Sequence, residues 1–241
     1  MQQYFIAQTL HIAEEVQLDK EAQHHQLTVL RAHPGNRFRL TDLDGKIFLA
    51  RLQIKDTGAF AEIIEEIDEM NEMTTKVTII QALIKGDRWD YFLQKATECG
   101  VTRIIPYLSE RNVVKFDFEN DIKKLDRWRK IVREAAEQSR RNVIPEIGMP
   151  IEFKDLSNYL GDENFVAYEL EAGLNRQLKE RDAFDENVSV LIGSEGGFSP
   201  REIHQFTTLG FTPVGLGKRI LRAETAAIVA LTLIESKSER K

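Results

Sequence analysis

The chain has 241 residues, a formal net charge of −6 and one cysteine. That length suffices for one large domain or two small ones with a real core, and a lone Cys99 excludes a disulfide framework and a cysteine-built zinc or iron–sulfur centre. No apolar run approaches a membrane span and the opening MQQYFIAQTL lacks the basic, apolar, small-residue order of a signal peptide, so a soluble cytoplasmic protein with no membrane partner is expected.

Residues 1 to about 70 read as β-rich. Phe38 and Leu40 alternate with polar residues, Asp44-Gly45 signals a hairpin, and Phe48, Ala50, Leu52 and Ile54 alternate on its far side. A small barrel or sandwich is the natural product. The stretch from His24 to Arg31 is more helical and Pro34-Gly35 ends it. Adjacent His24 and His25 do not share a helix face and no third ligand sits at a useful spacing, so no metal site is expected. After the acidic run Glu62 to Glu72, the polar, aperiodic stretch Asp68 to Lys76 divides residues 1–70 from residues 71–241.

Val77 to Ile84 is an apolar strand, and Gly86-Asp87 leads into a helix whose Trp89, Phe92, Leu93 and Ala96 fall at i, i+3, i+4 and i+7, with Gly100 as its C-terminal cap. Ile104 to Leu108 and Asn112 to Phe116 are strand-like. From Ile122 to Arg141 there are eight Lys or Arg against three acids. Within this helix Ile122, Leu125, Trp128, Ile131, Val132, Ala135 and Ala136 keep one apolar stripe. Its cations form either a solvated face or an RNA-facing patch. Pro145 and Pro150 bracket a connector, a short helix covers Lys154 to Leu160, and Phe165 to Leu170 is another strand. Strands alternating with helices predict an α/β domain whose mostly parallel sheet is covered on both faces.

The stretch from Val190 to Ala227 organises the rest. An apolar strand, Val188 to Ile192, breaks into Gly193-Ser194-Glu195-Gly196-Gly197, and Ser199, Pro200 and Glu202 then write a helix start with a capping box. The pattern repeats more loosely, with Phe211 to Leu216 as a strand, Gly217 as a break, and a helix beginning near Arg222 or Ala223. In open α/β sheets ligands bind at such carboxyl ends of strands. The first glycine loop lacks both the G-x-G-x-x-G fingerprint and the Walker loop, which disfavours classical NAD and ATP sites. Glu195 suits a cationic or hydroxyl-bearing ligand better than a phosphate. The final helix is apolar almost all round from Ala226 to Leu231 and must be buried within the domain or against a second subunit.

The segments LIGSEGGFSPREI, GLGKRILRAETAA, KGDRWDYFLQKATECGVTRIIPYLSERNVV and EAAEQSRRNVIPEI together closely resemble the bacterial 16S ribosomal RNA uracil-N3 methyltransferases, the RsmE-type branch of the SPOUT superfamily. The resemblance covers essentially the whole chain, including VLRAHPGN near the start. It implies an N-terminal PUA-like β-barrel for RNA over 1–70 and a SPOUT-type α/β domain with a C-terminal trefoil knot over 71–241. Knots are exceptions to ordinary chain topology and no periodicity reveals one. It also implies a homodimer, acting on 16S ribosomal RNA or the small ribosomal subunit. The cofactor would be S-adenosyl-L-methionine, lined by Ile192, Gly193, Glu195, Gly196, Leu216, Gly217, Ile220, Leu221 and Thr225. The chain departs from the family's common Gly-Pro-Glu-Gly-Gly at Ser194 and from its Arg-Thr-Glu-Thr-Ala at Ala223.

The implied chemistry makes one demand. Uridine N3 must lose its imide proton before or while it attacks the sulfonium methyl, so either a general base takes that proton or a cation stabilises charge on the uracil oxygens. Arg222 is the candidate cation, because a guanidinium fork suits a uracil oxygen; a structural salt bridge with Glu224 or a neighbouring acid is its other reading. Glu195 is the candidate base, with water or another subunit as the alternative acceptor. Arg31, Arg111, Arg133, Arg140 and Arg141 are the candidate RNA contacts. A competing class is a non-catalytic RNA-binding or ribosome-assembly protein that retains the fold.

Overall fold

The computed structural model describes residues 1–112, 114, 116–118, 121–171 and 177–238. By their internal contacts they group into two units, Met1–Glu72 with Ala136–Val143, and Met73–Ala135 with Ile144–Lys241.

The first unit is built on a five-stranded sheet. Its elements are β1 (Gln3–Phe5), β2 (Glu15–Gln17), a short helix α1 (Lys20–His24) that runs into a π-turn over His25–Val29, and then β3 (Arg37–Thr41), β4 (Ile47–Lys55) and β5 (Gly58–Ile67). The sheet order is β1-β3-β4-β5-β2, antiparallel except where β1 lies parallel to β3. The Asp44-Gly45 hairpin forms as its residues require. Buried Asp42 accepts the backbone N–H groups of Asp44 and Lys46 at 2.9 Å, and Gly45 takes φ 79°, a conformation that costs glycine little. Phe38, Leu40, Phe48, Ala50, Leu52, Ala61 and Ile63 pack into one core, while Ile54, at the strand's far end, stays exposed.

Residues 136–143 complete this unit. The Asn142 side-chain amide donates to the backbone oxygens of Gly45 and Glu69 at 2.8 and 2.9 Å, and Gln3 Nε2 donates to the Arg141 carbonyl at 2.7 Å. Arg140 takes φ 58°, a left-handed position usually given to glycine, and Arg141 N–H donates back to the Ala136 carbonyl at 3.0 Å.

The second unit holds β6 (Lys76–Ala82), α2 (Asp87–Glu98), β7 (Arg103–Tyr107), α3 (Ile122–Gln138, whose last turn belongs to the first unit), β8 (Glu146–Ile147), β9 (Glu163–Ala167), β10 (Asn187–Ile192), α4 (Pro200–Leu209), β11 (Thr212–Val214) and α5 (Ala223–Ser238). Its six strands are all parallel, in the order β11-β9-β10-β6-β7-β8. The period of two sorts the strand side chains into two cores. Ile79, Ile104, Phe165 and Val190 face α2, α3 and α5; Ile80, Ile105, Val166 and Leu191 face α4 through Phe206. A sheet buried on both faces explains why its strands read as near-continuous apolar runs.

Four local expectations change. The segment expected as a short helix at 154–160 is a 3₁₀ helix over Phe153–Tyr159. The strand expected to reach Leu170 ends at Ala167, and a 3₁₀ turn, Glu169–Glu171, follows it. The strand expected over Asn112–Phe116 includes residues 113 and 115, which lie outside the described ones, and its described residues form no strand. Ile122, expected on the apolar stripe of α3, is exposed at the start of that helix.

Candidate functional site

β9, β10 and β11 end at the same edge of the parallel sheet, and the loops that follow β10 and β11 border one pocket of about 290 Å³. The first loop leaves Ile192 and closes on α4, where Ser199 accepts the Glu202 N–H and the Glu202 carboxylate accepts the Ser199 N–H, the capping box expected from the sequence. Gly197 sits at φ 61° inside it, so the chain reverses without a Cβ penalty. The second loop leaves Val214 and runs to Ala223, where α5 begins. Eight of the nine residues expected around the cofactor line the pocket: Ile192, Gly193, Glu195, Gly196, Leu216, Gly217, Ile220 and Leu221.

The ninth, Thr225, does not. Ala223 and Ala226 are the pocket-lining residues of α5, one turn apart, so Thr225 falls about 100° off that face; Arg222 precedes the helix, and both are exposed. Arg222 has no salt-bridge partner among the described residues, and the Oε2 atom of buried Glu224 has no hydrogen-bond partner there, so the salt bridge considered from the sequence is not formed.

Sequence reading missed several lining residues. Ala167, Tyr168 and Glu169 enter from the end of β9, and Arg219 from the second loop. Gln177 was missed as well. Its side-chain oxygen accepts the Gly217 N–H at 2.9 Å, and the neighbouring Leu178 N–H donates to the Gly215 carbonyl at 3.0 Å, so a distant segment holds the second loop in shape. A glutamine at the end of an unpatterned stretch carries no signal for that role.

The pocket's charge is mixed, with two carboxylates at its rim. Glu169 lies close to Gly197, where an added Cβ would meet its Oε1 at 3.2 Å. Glu195 lines the pocket while its Oε1 accepts from Arg88 Nη1 at 3.4 Å and from the Lys85 N–H at 3.5 Å, beside the start of α2. Two such acids favour a ligand that carries positive charge. Beyond the pocket, burial first and Glu202 second push the Tyr107 phenol well above its ordinary value, so it stays protonated against Phe198 and Phe206.

The expected RNA-binding arginines divide. Arg31 and Arg140 are exposed on the first unit, Arg133 is half-buried on α3, and Arg111 is exposed with its Nη1 donating to the Gly196 carbonyl at 3.0 Å. Arg141 is a correction. It is 3% exposed and its guanidinium is bound by Glu72, through Nε at 3.1 Å and through Nη2. A charge removed from solvent and paired in this way would be costly to strand and presents no surface to a phosphate.

Among the described residues, no group of three His, Cys, Asp or Glu is arranged to hold a metal ion, and no helix is long and apolar enough to cross a membrane.

Residues 71–235 match a family model of the RNA methyltransferase domain, and residues 18–64 match one of the RNA methyltransferase PUA domain. Ribosomal RNA small subunit methyltransferase E of Bacillus subtilis is 34% identical over 256 residues, spanning 99% of this chain and 98% of the relative. The protein of the same name from Mesomycoplasma hyopneumoniae is 42% identical over 176 residues, 71% of this chain and 74% of its own. Among solved structures, a ribosomal RNA small subunit methyltransferase E from Neisseria gonorrhoeae bound to S-adenosyl methionine is similar with a TM-score of 0.89 at 33% identity, over 98% of this chain and 97% of that one.

Proposed function

The chain belongs to the ribosomal RNA small subunit methyltransferase E family, and from that premise we propose that it methylates N3 of a uridine in 16S ribosomal RNA with S-adenosylmethionine as donor. The observation that carries this reading is one pocket that both glycine loops border at the carboxyl ends of β10 and β11. Its residues suit the donor. Ile192, Leu216, Ile220 and Leu221 offer apolar cover for a flat base, and the close-lying glycine backbone offers polar groups without side chains in the way. Glu169 and Glu195 line the same pocket, and their negative charge would suit a donor that carries a sulfonium and an ammonium group.

When bound, S-adenosylmethionine supplies an electrophilic methyl group. For uridine N3 to take that methyl, its imide proton would have to pass to a base and charge on the uracil oxygens would have to be stabilised, and these are the tasks left to the chain's own residues. Arg222, exposed and without an ion-pair partner among the described residues, stabilises the charge that grows on the uracil oxygens. Glu195 is the carboxylate candidate for the proton, and it would first have to leave Arg88 and the Lys85 amide. Arg31, Arg111, Arg133 and Arg140 form the RNA-contacting set, with Arg141 withdrawn from it.

The same reading includes a trefoil knot closed by the last segment, a PUA-like barrel over residues 1–70, and a knot domain over 71–241. The two loops after β10 and β11 border the pocket that this reading gives to the cofactor. A homodimer is part of it as well, supported by Ile228, Val229 and Leu233, which stay only half-buried along α5.

Calorimetric titration with S-adenosylmethionine and with NAD tests the cofactor class, with binding expected for the first alone. Mass spectrometry of 16S ribosomal RNA from cells with and without the protein tests the product. Loss of one N3-methyluridine is the expected result, and an unchanged modification profile would overturn the assignment.

A further inference from the structure

Two loops that come from distant parts of the chain are tied together by one carboxylate. Glu202 lies in the first turn of α4 and is 2% exposed. Its Oε2 accepts the Ser199 N–H at 2.8 Å, which completes the capping box, and a capping box requires no more of it than that. Its other oxygen, Oε1, accepts the backbone N–H of Glu110 at 2.9 Å, in the loop that follows β7. The Glu110 side chain returns the contact, its Oε2 accepting from the Ser199 hydroxyl at 2.8 Å.

The next residue along this loop is Arg111. Besides donating to the Gly196 carbonyl, it approaches Gly196 so closely that a Cβ there would lie 3.3 Å from the Arg111 Cβ. Ser194 Oγ donates to the Arg111 carbonyl at 3.5 Å. Gly196 lines the pocket, so the placement of Arg111 and the shape of the cofactor loop depend on each other.

Building on the methyl-transfer reading, we propose that Glu202 is a positioning residue: through its second carboxylate oxygen it fixes Glu110 and thereby sets Arg111 against the cofactor loop, so that RNA contact and cofactor binding are coupled. The chemistry allows the bridge to be separated from the helix cap. A carboxylate accepts from two N–H groups at once, whereas a glutamine amide accepts with its single oxygen and would turn N–H toward the second donor. Since glutamine also serves in capping boxes, Glu202→Gln keeps the cap and breaks the bridge.

Three measurements test this. In Glu202→Gln, hydrogen exchange at the Glu110 amide should accelerate by about tenfold or more, the response of a lost local hydrogen bond. Cofactor Kd and RNA KM should both rise by roughly three- to tenfold, with kcat at saturation within about twofold of wild type, the pattern of lost binding rather than lost chemistry. Arg111→Ala should show the same rise with Glu202 intact, and the double variant should be no worse than Arg111→Ala alone. Wild-type exchange at Glu110, a kcat loss that tracks a fall in Tm with KM unchanged, additive effects in the double variant, or normal KM and Kd in Arg111→Ala would each overturn the proposal. If wild-type protein fails to bind S-adenosylmethionine, the methyl-transfer reading and the coupling fall, and the exchange at Glu110 separately decides whether the loops are tied by Glu202.

Discussion

The Gln177 side-chain oxygen accepts the Gly217 backbone N–H at 2.9 Å, across forty positions of sequence. Gln177 is buried, and Gly217 sits at φ 122°, a conformation open in practice to glycine alone. The bond therefore fixes a loop that glycine would otherwise leave free to take many shapes. Gln177→Ala should weaken S-adenosylmethionine by roughly 3- to 10-fold, the worth of one hydrogen bond of about 1 kcal/mol. Calorimetry on the folded variant checks this, and unchanged affinity would mean that the second loop keeps its shape without Gln177.

Arg222 should behave as an electrostatic catalyst. Arg222→Ala should lower turnover by roughly 10² or more while cofactor and RNA affinities change little, the usual cost of removing one preorganised donor. The residual rate should climb with pH as hydroxide supplies the uracil anion that the arginine no longer favours. Single-turnover rates across pH, beside thermal melts, provide the check; near-normal turnover would remove Arg222 from the mechanism.

Neighbours Arg140 and Arg141 should give opposite phenotypes. Arg140→Ala should reduce the salt slope of RNA binding by about one and leave stability nearly unchanged, as expected of one lost phosphate contact. Removing Glu72 instead strands the buried Arg141 guanidinium, so Glu72→Ala should cost about 3 kcal/mol of stability. Urea denaturation and salt-dependent RNA titrations on the two variants separate these roles.

How much of this could be read from residue order varies with the range of the interaction. The Ser199 to Glu202 cap, the Asp44-Gly45 hairpin and the buried stripe of Trp89, Phe92, Leu93 and Ala96 are local, and each formed as its spacing requires. The glycine loops were legible for the same reason. Arg141 was not, because composition cannot tell a solvated arginine from one whose carboxylate lies 69 residues earlier. Thr225 lies one helical step away from the pocket-lining face, which holds Ala223 and Ala226 instead. Glu169 and Gln177 reach the site only through tertiary approach, which no hydrophobic period encodes.

Acid should expose a further pair. Glu69 binds Arg39, whose side chain is 6% exposed, and this hydrogen bond first, with the charge attraction between them, holds the Glu69 carboxyl below its ordinary 4.5. A carboxyl lowered on folding stabilises the native state above that ordinary value, and the contribution is lost as pH falls through the folded value. Glu69→Gln should therefore be less stable than wild type at pH 6, and the gap should shrink as pH falls below the ordinary value and through the folded one. Urea midpoints at several pH values provide the test, and a gap that persists unchanged in acid would show that the pair is not its source.

Residues 136–143 belong to the unit that begins at Met1, and this sets an order on synthesis. A ribosome that has made Glu72 has not yet made the Asn142 amide that bonds the Gly45 and Glu69 carbonyls, nor the Arg141 that pairs with Glu72. By the time those arrive, β6, α2 and β7 have already left the exit tunnel, while β10, which must insert beside β6, does not yet exist. The nascent chain therefore carries an unpaired edge of β6 through more than a hundred residues of elongation. Proteins in that condition are the ones that depend on chaperones or on slow, late closure to avoid pairing with a neighbour instead.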